Sequence, residues 1–241
     1  MRLVDSHCHL YDIRRYTIPE DIIPVVVGYS HSSNRKAVEV AREKGYPFVL
    51  GIAPQTAIRS DTSQLDEWID FIRDSRPNAI GEVGLDYKWA KTREDVEKER
   101  LVFERMIGLA RDMRLPLVIH SRNNPLDNEV PKDAVEDIMR MVSDMEVVMH
   151  FYTGSEEQAR RIASKGGYIS VTHLHSKERR KVINSVSLDK LLVESDSPYV
   201  GRTPETVRDA VRYIAEVKGL DFDEVAATTS ENAARVFGFR L

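Results

Sequence analysis

Side chains of the kinds that bind divalent cations stand repeatedly at the ends of short apolar runs in this sequence. Six of them share this setting: His7, His9, Glu82, His120, His150 and Asp196. Short apolar runs predict buried strands. Potential ligands that follow several strands predict one face of a parallel barrel, which is where active sites of that fold lie. The pattern is typical of a hydrolase that uses two metal ions.

The opening Asp-Ser-His-Cys-His is the strongest local signal. Side chains alternate on a strand, so His7 and His9 face the same way and can bind one cation together. Cys8 points to the opposite side, where we expect it to pack against a helix. Asp5 shares the histidine face and is a candidate to orient one imidazole. The alternative is a histidine pair satisfied by hydrogen bonds alone.

Glu82 stands alone inside the apolar run of Ile-Gly-Glu-Val-Gly. A buried glutamate is unfavourable unless it is paired or metal-bound. Its two carboxylate oxygens can bridge two cations, which an imidazole nitrogen does not ordinarily do. A buried ion pair with an arginine or lysine is the alternative. Asp86, just beyond, is interpreted as a loop residue, with a role behind a metal ligand as the alternative.

His120 and His150 each close an apolar run, and their matching positions favour ligands over ordinary core or loop histidines. Arg122 follows His120 by two residues, so it leans toward the same pocket if the strand continues. A guanidinium there suits recognition of phosphate or carboxylate groups. The alternative for Arg122 is an ion pair at the surface.

Asp196 ends the run Leu-Leu-Val-Glu-Ser-Asp, immediately before a turn at Pro198. Glu194 alternates onto the same face, so spacing does not exclude it as a ligand. The terminal position favours Asp196 as a ligand and as proton acceptor for a metal-bound water.

A second His-x-His pair, His173 and His175, and a basic stretch at residues 177–181 follow a later apolar run. The pair is interpreted as part of a solvated loop, with an additional metal site or a substrate-contacting loop as alternatives. The basic stretch is interpreted as a solvated helix face, with a contact to a nucleic-acid backbone as the alternative.

Eight apolar runs alternate with segments of helical periodicity, which predicts a parallel sheet covered by helices. The runs lie near residues 3–8, 23–28, 47–52, 78–83, 115–120, 146–151, 167–171 and 190–195. A barrel of this type needs about 250 residues, so residues 1–241 are predicted to form one (β/α)8 TIM barrel domain. Residues 10–22 are too short and irregular for a first helix, so we expect the barrel to be distorted there.

The composition restricts the class of protein. With 35 basic and 39 acidic residues the formal charge is −4, which argues against a protein that coats nucleic acid electrostatically. Divalent cations would still make the pocket attractive to an anionic substrate. A single cysteine, no membrane-length apolar stretch and no secretory leader pattern lead us to expect a cytoplasmic protein without a membrane partner.

The motifs, in their order, resemble those of the TatD-like metal-dependent hydrolases, often called TatD deoxyribonucleases. The resemblance covers nearly the whole chain. It rests on the opening DSHCHL, GEVGLDY at residues 81–87, IHSR at 119–122, HFYTG at 150–154, ESDSPY at 194–199 and the ending SENAARVFG.

This resemblance implies an irregular barrel of the amidohydrolase type with up to two divalent cations. By motif position, His7, His9 and Asp196 would hold one metal, His120 and His150 the second, and Glu82 would bridge them. It also implies similarity to phosphodiesterases that trim DNA from the 3′ end. The metals would be Zn, Mn, Mg, Ni or Fe, the partner DNA or another phosphodiester, and the chain a monomer or weak oligomer without an obligate protein partner.

Several walls of the predicted pocket depart from the family pattern. The family usually has aspartate directly after its His-x-His-Leu, where this chain has Tyr11, and the chain after Val200 lacks a longer loop rich in arginine and asparagine. Loops set specificity on a shared fold. One alternative is therefore hydrolysis of an ester, lactone or amide, in a small molecule or an acylated nucleic acid. A lesser one is a non-catalytic binding protein.

Overall fold

The apolar runs form eight strands that pair in chain order as one parallel sheet in the computed structural model, which describes residues 2–241. The strands are β1 Leu3–Cys8, β2 Ile22–Val27, β3 Phe48–Leu50, β4 Ala79–Asp86, β5 Leu117–Arg122, β6 Val147–Met149, β7 Tyr168–Val171 and β8 Leu191–Val193. All eight lie within two residues of the predicted runs at their starts. The prediction of eight parallel strands is confirmed.

Helices cover the outside of the sheet. They are α1 His31–Lys44, α2 Pro54–Arg59, α3 Leu65–Ser75, α4 Arg93–Met113, α5 Ala134–Met141, α6 Glu156–Ser164, α7 Lys177–Ser185, α8 Val207–Lys218 and α9 Phe222–Val236. Helix α4 shows why they form: Thr92 and Asp95 make a reciprocal capping box at its start. Its apolar stripe, including Val96, Phe103 and Ile107, is buried against the barrel.

The barrel is nearly closed, and its first and last strands meet only just beyond β8. Cys8 pairs with Ser197 in an isolated parallel bridge. Two backbone hydrogen bonds support the seam: the Asp196 N–H donates to the His7 carbonyl at 2.9 Å, and the His9 N–H to the Ser197 carbonyl at 2.8 Å. The seam therefore brings the chain around Asp196 directly beside the two N-terminal histidines.

The distortion predicted in the first βα unit is present. Between β1 and β2 the chain forms only a short 3₁₀ segment, Leu10–Asp12. The fold is thus a distorted (β/α)8 barrel in a single domain. Among residues 2–241, no helix combines the length and apolar character needed to cross a bilayer.

The lower half of the barrel interior is an apolar layer. Its strand residues include Val4, Val27, Val49, Val118, Val148 and Leu192, all buried. Helix α9 closes this end with Ala233 and Val236, followed by Phe237. Side-chain hydrogen bonds attach the closing helix: the Val4 N–H donates to Ser230 Oγ at 3.0 Å, and Asn78 Nδ2 donates to the Phe237 carbonyl at 2.9 Å. This end of the barrel is a packed floor rather than an opening.

Candidate metal centre

The upper half of the same interior is lined by imidazoles and carboxylates. Along β5, Val118 belongs to the apolar layer and His120, two residues later, to the polar one; Val148 and His150 repeat the pattern after β6. Since side chains alternate on a strand, a spacing of two keeps both on the inner face. The six side chains that the sequence predicts as ligands are all buried at this end.

Four of the predicted ligands form one compact group of donor atoms. His7 Nε2 lies 3.3 Å from His9 Nε2 and 3.5 Å from Glu82 Oε2. Asp196 Oδ1 lies 3.5 Å from His9 Nε2 and 3.9 Å from His7 Nε2. Donors about 2.1 Å from one tetrahedral cation are separated by roughly 3.4 Å. These spacings therefore suit a shared cation better than direct hydrogen bonding.

The remaining two predicted ligands form a second group that shares Glu82. His120 Nδ1 lies 3.0 Å from Glu82 Oε1, while Glu82 Oε2 faces the first group. Glu82, His120 and His150 each offer a ligand atom, and these atoms lie within 4.8 Å of one another. His150 also stacks on His7, with ring centroids 3.7 Å apart. Glu82 thus presents one oxygen to each group.

A backbone carbonyl fixes the orientation of His9. His9 Nδ1 lies 2.8 Å from the Val27 carbonyl oxygen, which only accepts, so Nδ1 carries the proton and donates. Nε2 is then unprotonated and directed into the first group. Hydrogen bonding through the other ring nitrogen is the usual way in which proteins orient a metal-binding histidine.

Asp86 orients the ring of His120 in the same way. The interpretation of Asp86 as a loop residue is therefore wrong. Asp86 is fully buried, and its Oδ2 lies 2.7 Å from His120 Nε2. Gln55 Nε2 donates to the same oxygen at 2.6 Å. The neighbouring strands β4 and β5 pair with Asp86 beside Arg122. This register places the side chain of Asp86 behind His120.

Asp5 does not orient an imidazole. Its carboxylate accepts hydrogen bonds from the Ser195 N–H at 2.8 Å and from Ser195 Oγ at 2.6 Å, and from the His7 backbone N–H at 3.3 Å. Asp5 therefore ties β1 to the segment that carries Asp196. A bulge between Asp5 and Cys8 breaks the regular alternation on which the prediction relied.

Glu194, which spacing alone left open as a ligand, lies behind His150. Glu194 Oε1 accepts a hydrogen bond from the Phe151 N–H at 2.7 Å and lies 3.0 Å from His150 Nδ1. Of the donor groups that fit a cation among residues 2–241, one contains Asp196, together with His7 and His150, and none contains Glu194.

Burial and charge oppose each other throughout the centre. Burial raises the pKa of Glu82, but hydrogen bonds from His120 and His7 outweigh it and hold that pKa well below its usual range. Burial likewise raises the pKa of Asp196, and His9 with His150 and His7 lowers it further than burial raises it. Burial disfavours the charged form of His150, yet the Glu194 carboxylate raises its pKa to about 10. The carboxylates of Glu82 and Asp196, whose pKa values are lowered, are therefore ionised at neutral pH.

These residues fit divalent cations by their own chemistry. The donors are imidazole nitrogens and carboxylate oxygens, a set that suits Zn, Mn, Ni or Fe. Among residues 2–241, the ion pairs of the buried Glu82 and Asp196 are with imidazoles alone, so no lysine or arginine takes the place of a cation.

A cavity of about 650 Å³ opens above the centre, a size ordinary for small-ligand sites. Arg122 lines it and leans toward the pocket as predicted; its Nε is 4.0 Å from Asp86 Oδ2 and its side chain is partly exposed. Trp89, Tyr199 and Arg59, all exposed, form part of its rim. Neither Trp89 nor Arg59 carried a sequence signal.

The second His-x-His pair does not join the centre. His175 stacks on Tyr213, with ring centroids 3.8 Å apart, and is exposed. His173 is partly exposed on the same loop. Of the basic residues 177–181, Arg179 departs from a simple solvated face, since its guanidinium lies 5.3 Å over the ring of Phe151.

Comparison with known sequences identifies relatives over the full length of the chain. The profile of a family described as TatD related DNase matches residues 4–238. The uncharacterized metal-dependent hydrolase YabD of Bacillus subtilis is 32% identical, with 98% of each chain covered. The deoxyribonuclease TATDN3 of Homo sapiens is 27% identical, covering 98% of this chain and 94% of its own.

Comparison with solved structures gives the same fold. The TatD homolog YJJV of Escherichia coli K12 superposes with a TM-score of 0.81 at 21% identity, with 99% of each chain covered. A TatD family hydrolase of Entamoeba histolytica superposes with a TM-score of 0.80 at 17% identity, covering 98% of this chain and 97% of its own. At these identities the likeness concerns the barrel.

Proposed function

Since this chain belongs to the TatD related DNase family and is a metal-dependent hydrolase, we propose that it is a two-metal phosphodiesterase that shortens DNA from the 3′ end. The name of the human relative supports DNA as the substrate. The cavity is open to solvent above the candidate centre, which supports access for the end of a long chain.

One observation carries the proposal: the carboxylate of Glu82 lies between two donor groups and turns one oxygen to each. His7, His9 and Asp196 would hold one cation with Glu82, and His120 with His150 would hold the other. Cations held by these residues would supply Lewis-acid chemistry: they would stabilise the charge that develops on a phosphodiester and lower the pKa of a water molecule.

The residues of the chain supply positioning and proton transfer. Asp196, whose pKa is held low by the surrounding imidazoles, is ionised and accepts the proton of the attacking water. Asp5 fixes the segment that carries Asp196 through its two hydrogen bonds to Ser195. Asp86 holds the ring of His120, so that Nδ1 remains directed at Glu82.

Arg122 would bind a non-bridging oxygen of the scissile phosphate. Its guanidinium lines the cavity and is only loosely held by Asp86, so it is available to a ligand. We expect Arg122→Ala to lower kcat/KM by about 10- to 150-fold, the range for loss of a charged hydrogen bond. Arg122→Lys should recover part of the loss, because lysine keeps the charge but not the planar fork.

The test uses metal-loaded protein and oligonucleotides labelled at one end. The proposal predicts that a 5′-labelled single strand shortens stepwise, that a 3′ label is released first, and that a chelator stops both until Mn or Zn is restored. No shortening under Mg, Mn or Zn, with bound metal verified by elemental analysis, would overturn it. Hydrolysis of an ester, lactone or amide panel in that protein would then assign a different bond, and failure to take up any metal would favour a non-catalytic binding protein.

A further inference from the structure

A tryptophan and an arginine stack on each other at the rim of the cavity. Trp89 is 39% exposed, although a large aromatic side chain is usually buried. The Arg59 guanidinium carbon lies 4.4 Å from the centroid of its ring. Both residues line the cavity that contains the candidate metal centre. The exposed aromatic surface is therefore continuous with the reactive site.

Both members of this pair are anchored to residues of the centre. Arg59 ends the short helix α2, and Gln55, four residues earlier on the same face, donates to Asp86 Oδ2. The backbone N–H of Trp89 donates to Asp86 Oδ1 at 2.9 Å. Asp86 itself contacts His120. A single buried carboxylate thus sets the position of the indole, the guanidinium and one candidate ligand.

We propose that Trp89 and Arg59 form a stacking subsite for an unpaired nucleobase of the strand whose phosphodiester lies at the metal centre. The inference rests on the proposed function and deepens it. Indole rings and arginine planes are the surfaces on which proteins stack unpaired bases. Arg59 holds the indole from one side, which presents a preoriented ring to the cavity. The positive charge of Arg59 also attracts the phosphate backbone of the bound strand.

A nucleobase fits this subsite better than a small apolar group. A small ester would use the centre and Arg122 alone, and would leave the exposed ring of Trp89 without a partner. A nucleotide would supply a partner to both features, its base to Trp89 and its phosphate to Arg122 and the candidate centre, since all of them line one cavity. A cavity of about 650 Å³ accommodates a ligand of that size.

Kinetics on two matched oligonucleotides test the subsite, one with a normal terminal nucleotide and one with an abasic terminal nucleotide. With the normal substrate, Trp89→Ala should raise KM by about 5- to 150-fold, the range for loss of one base–aromatic stack. Trp89→Phe should recover most of the affinity. Removing the base from the substrate should weaken the wild type by a similar factor, and the two losses should not add.

Leu101→Ala is the matched control, because Leu101 is also an exposed apolar residue but lies on α4 outside the cavity. It should change neither KM nor kcat. Trp89 and the buried Trp68 are the two tryptophans of the chain. Oligonucleotide binding should therefore quench tryptophan fluorescence in the wild type, and the quenching should disappear in Trp89→Phe.

The outcomes separate this inference from the proposed function. Cleavage of DNA with equal KM in wild type and Trp89→Ala would overturn the subsite and leave the phosphodiesterase intact. Quenching by oligonucleotides in a protein that cleaves no phosphodiester would support the subsite without the reaction. Losses that add fully in the variant and the abasic substrate would show that Trp89 does not contact the base and would also overturn it.

Discussion

The lower and upper halves of the barrel interior are built by the same strands and have opposite chemistry. Val118 and Val148 pack in the floor, whereas His120 and His150, two residues further along the chain, lie among carboxylates. The floor is apolar and closed by α9. The comparison indicates that the floor supplies stability, while the upper layer keeps buried charged groups that stability alone does not require.

Two residues at the candidate centre have an unusual backbone conformation. Phe151 and Asp196 have φ values of 41° and 47°, in the left-handed region that residues other than glycine rarely occupy. Both directly border the candidate centre, since Phe151 follows His150. Strained residues of this kind persist where the surrounding structure fixes them, and they concentrate at functional sites. We therefore expect substitutions in the upper layer to act mainly on activity and substitutions in the floor to act mainly on stability.

The largest effect is expected from Asp196→Asn in the upper layer. The amide keeps the shape but cannot accept the proton of the attacking water, so kcat should fall by about 10²–10⁴-fold. Because the surrounding imidazoles hold the pKa of Asp196 below its usual value, loss of this charge should also lower the free energy of unfolding of the metal-free protein at neutral pH. Activity within tenfold of the wild type would contradict the role given to Asp196.

Phe237→Ala makes the opposite change in the floor. Phe237 is fully buried against the lower layer, and its truncation should lower the free energy of unfolding by about 3–5 kcal/mol. The kcat of the molecules that remain folded should be unaffected, measured at a temperature well below the transition. A loss of kcat with unchanged denaturant stability would show that the two layers are not separable.

Glu99, on α4, makes the free energy of unfolding depend on pH. Burial raises its pKa from 4.5 to about 8, although the Asp86 N–H donates to its Oε2 and opposes that shift. Unfolded chains ionise Glu99 near pH 4.5, but the folded protein retains the proton until about pH 8. Rising pH therefore favours unfolding across this window.

Glu99→Gln removes that dependence. Relative to wild type, the variant should gain stability by on the order of 1 kcal/mol per pH unit from pH 4.5 to pH 8, and the difference should then level off. Thermal or urea unfolding at several pH values measures it. A difference that stays constant with pH would mean that Glu99 is ionised in the folded protein.

Ser230→Ala should have the smallest effect, because it removes one hydrogen bond between α9 and β1. The buried Val4 N–H would lose its acceptor, Ser230 Oγ. A loss of about 1–3 kcal/mol in the free energy of unfolding is expected, with kcat unchanged. Threonine at this position retains the hydroxyl and is the control. Equal stability of the alanine and threonine variants would show that this hydrogen bond does not hold the floor.

Local patterns in the sequence predict the strands and the six side chains of the centre, because both depend on residues close together in the chain. β1 occupies residues 3–8 as predicted. His120 lies in β5 and His150 directly follows β6, each at the end of its apolar run as predicted. What was mispredicted depends on contacts between distant segments. Asp86 acts on His120 through the pairing of β4 and β5, and Asp5 reaches Ser195 across the barrel seam, 190 residues away. Neither local motif contains information on strand register or on the closure of the barrel.

The cavity wall was missed for a related reason. Arg59 lies on a six-residue helix that is too short for a periodic signal, and Trp89 lies in a turn. Only the folded chain brings them together over the centre.

Metal stoichiometry by elemental analysis tests the central claim most directly, comparing the wild type with the double variant His120→Ala/His150→Ala. If the six side chains hold two cations that share Glu82, the wild type binds two equivalents and the double variant close to one, because His7, His9 and Asp196 remain. Two equivalents in the double variant, or a wild type that binds none, would contradict the account.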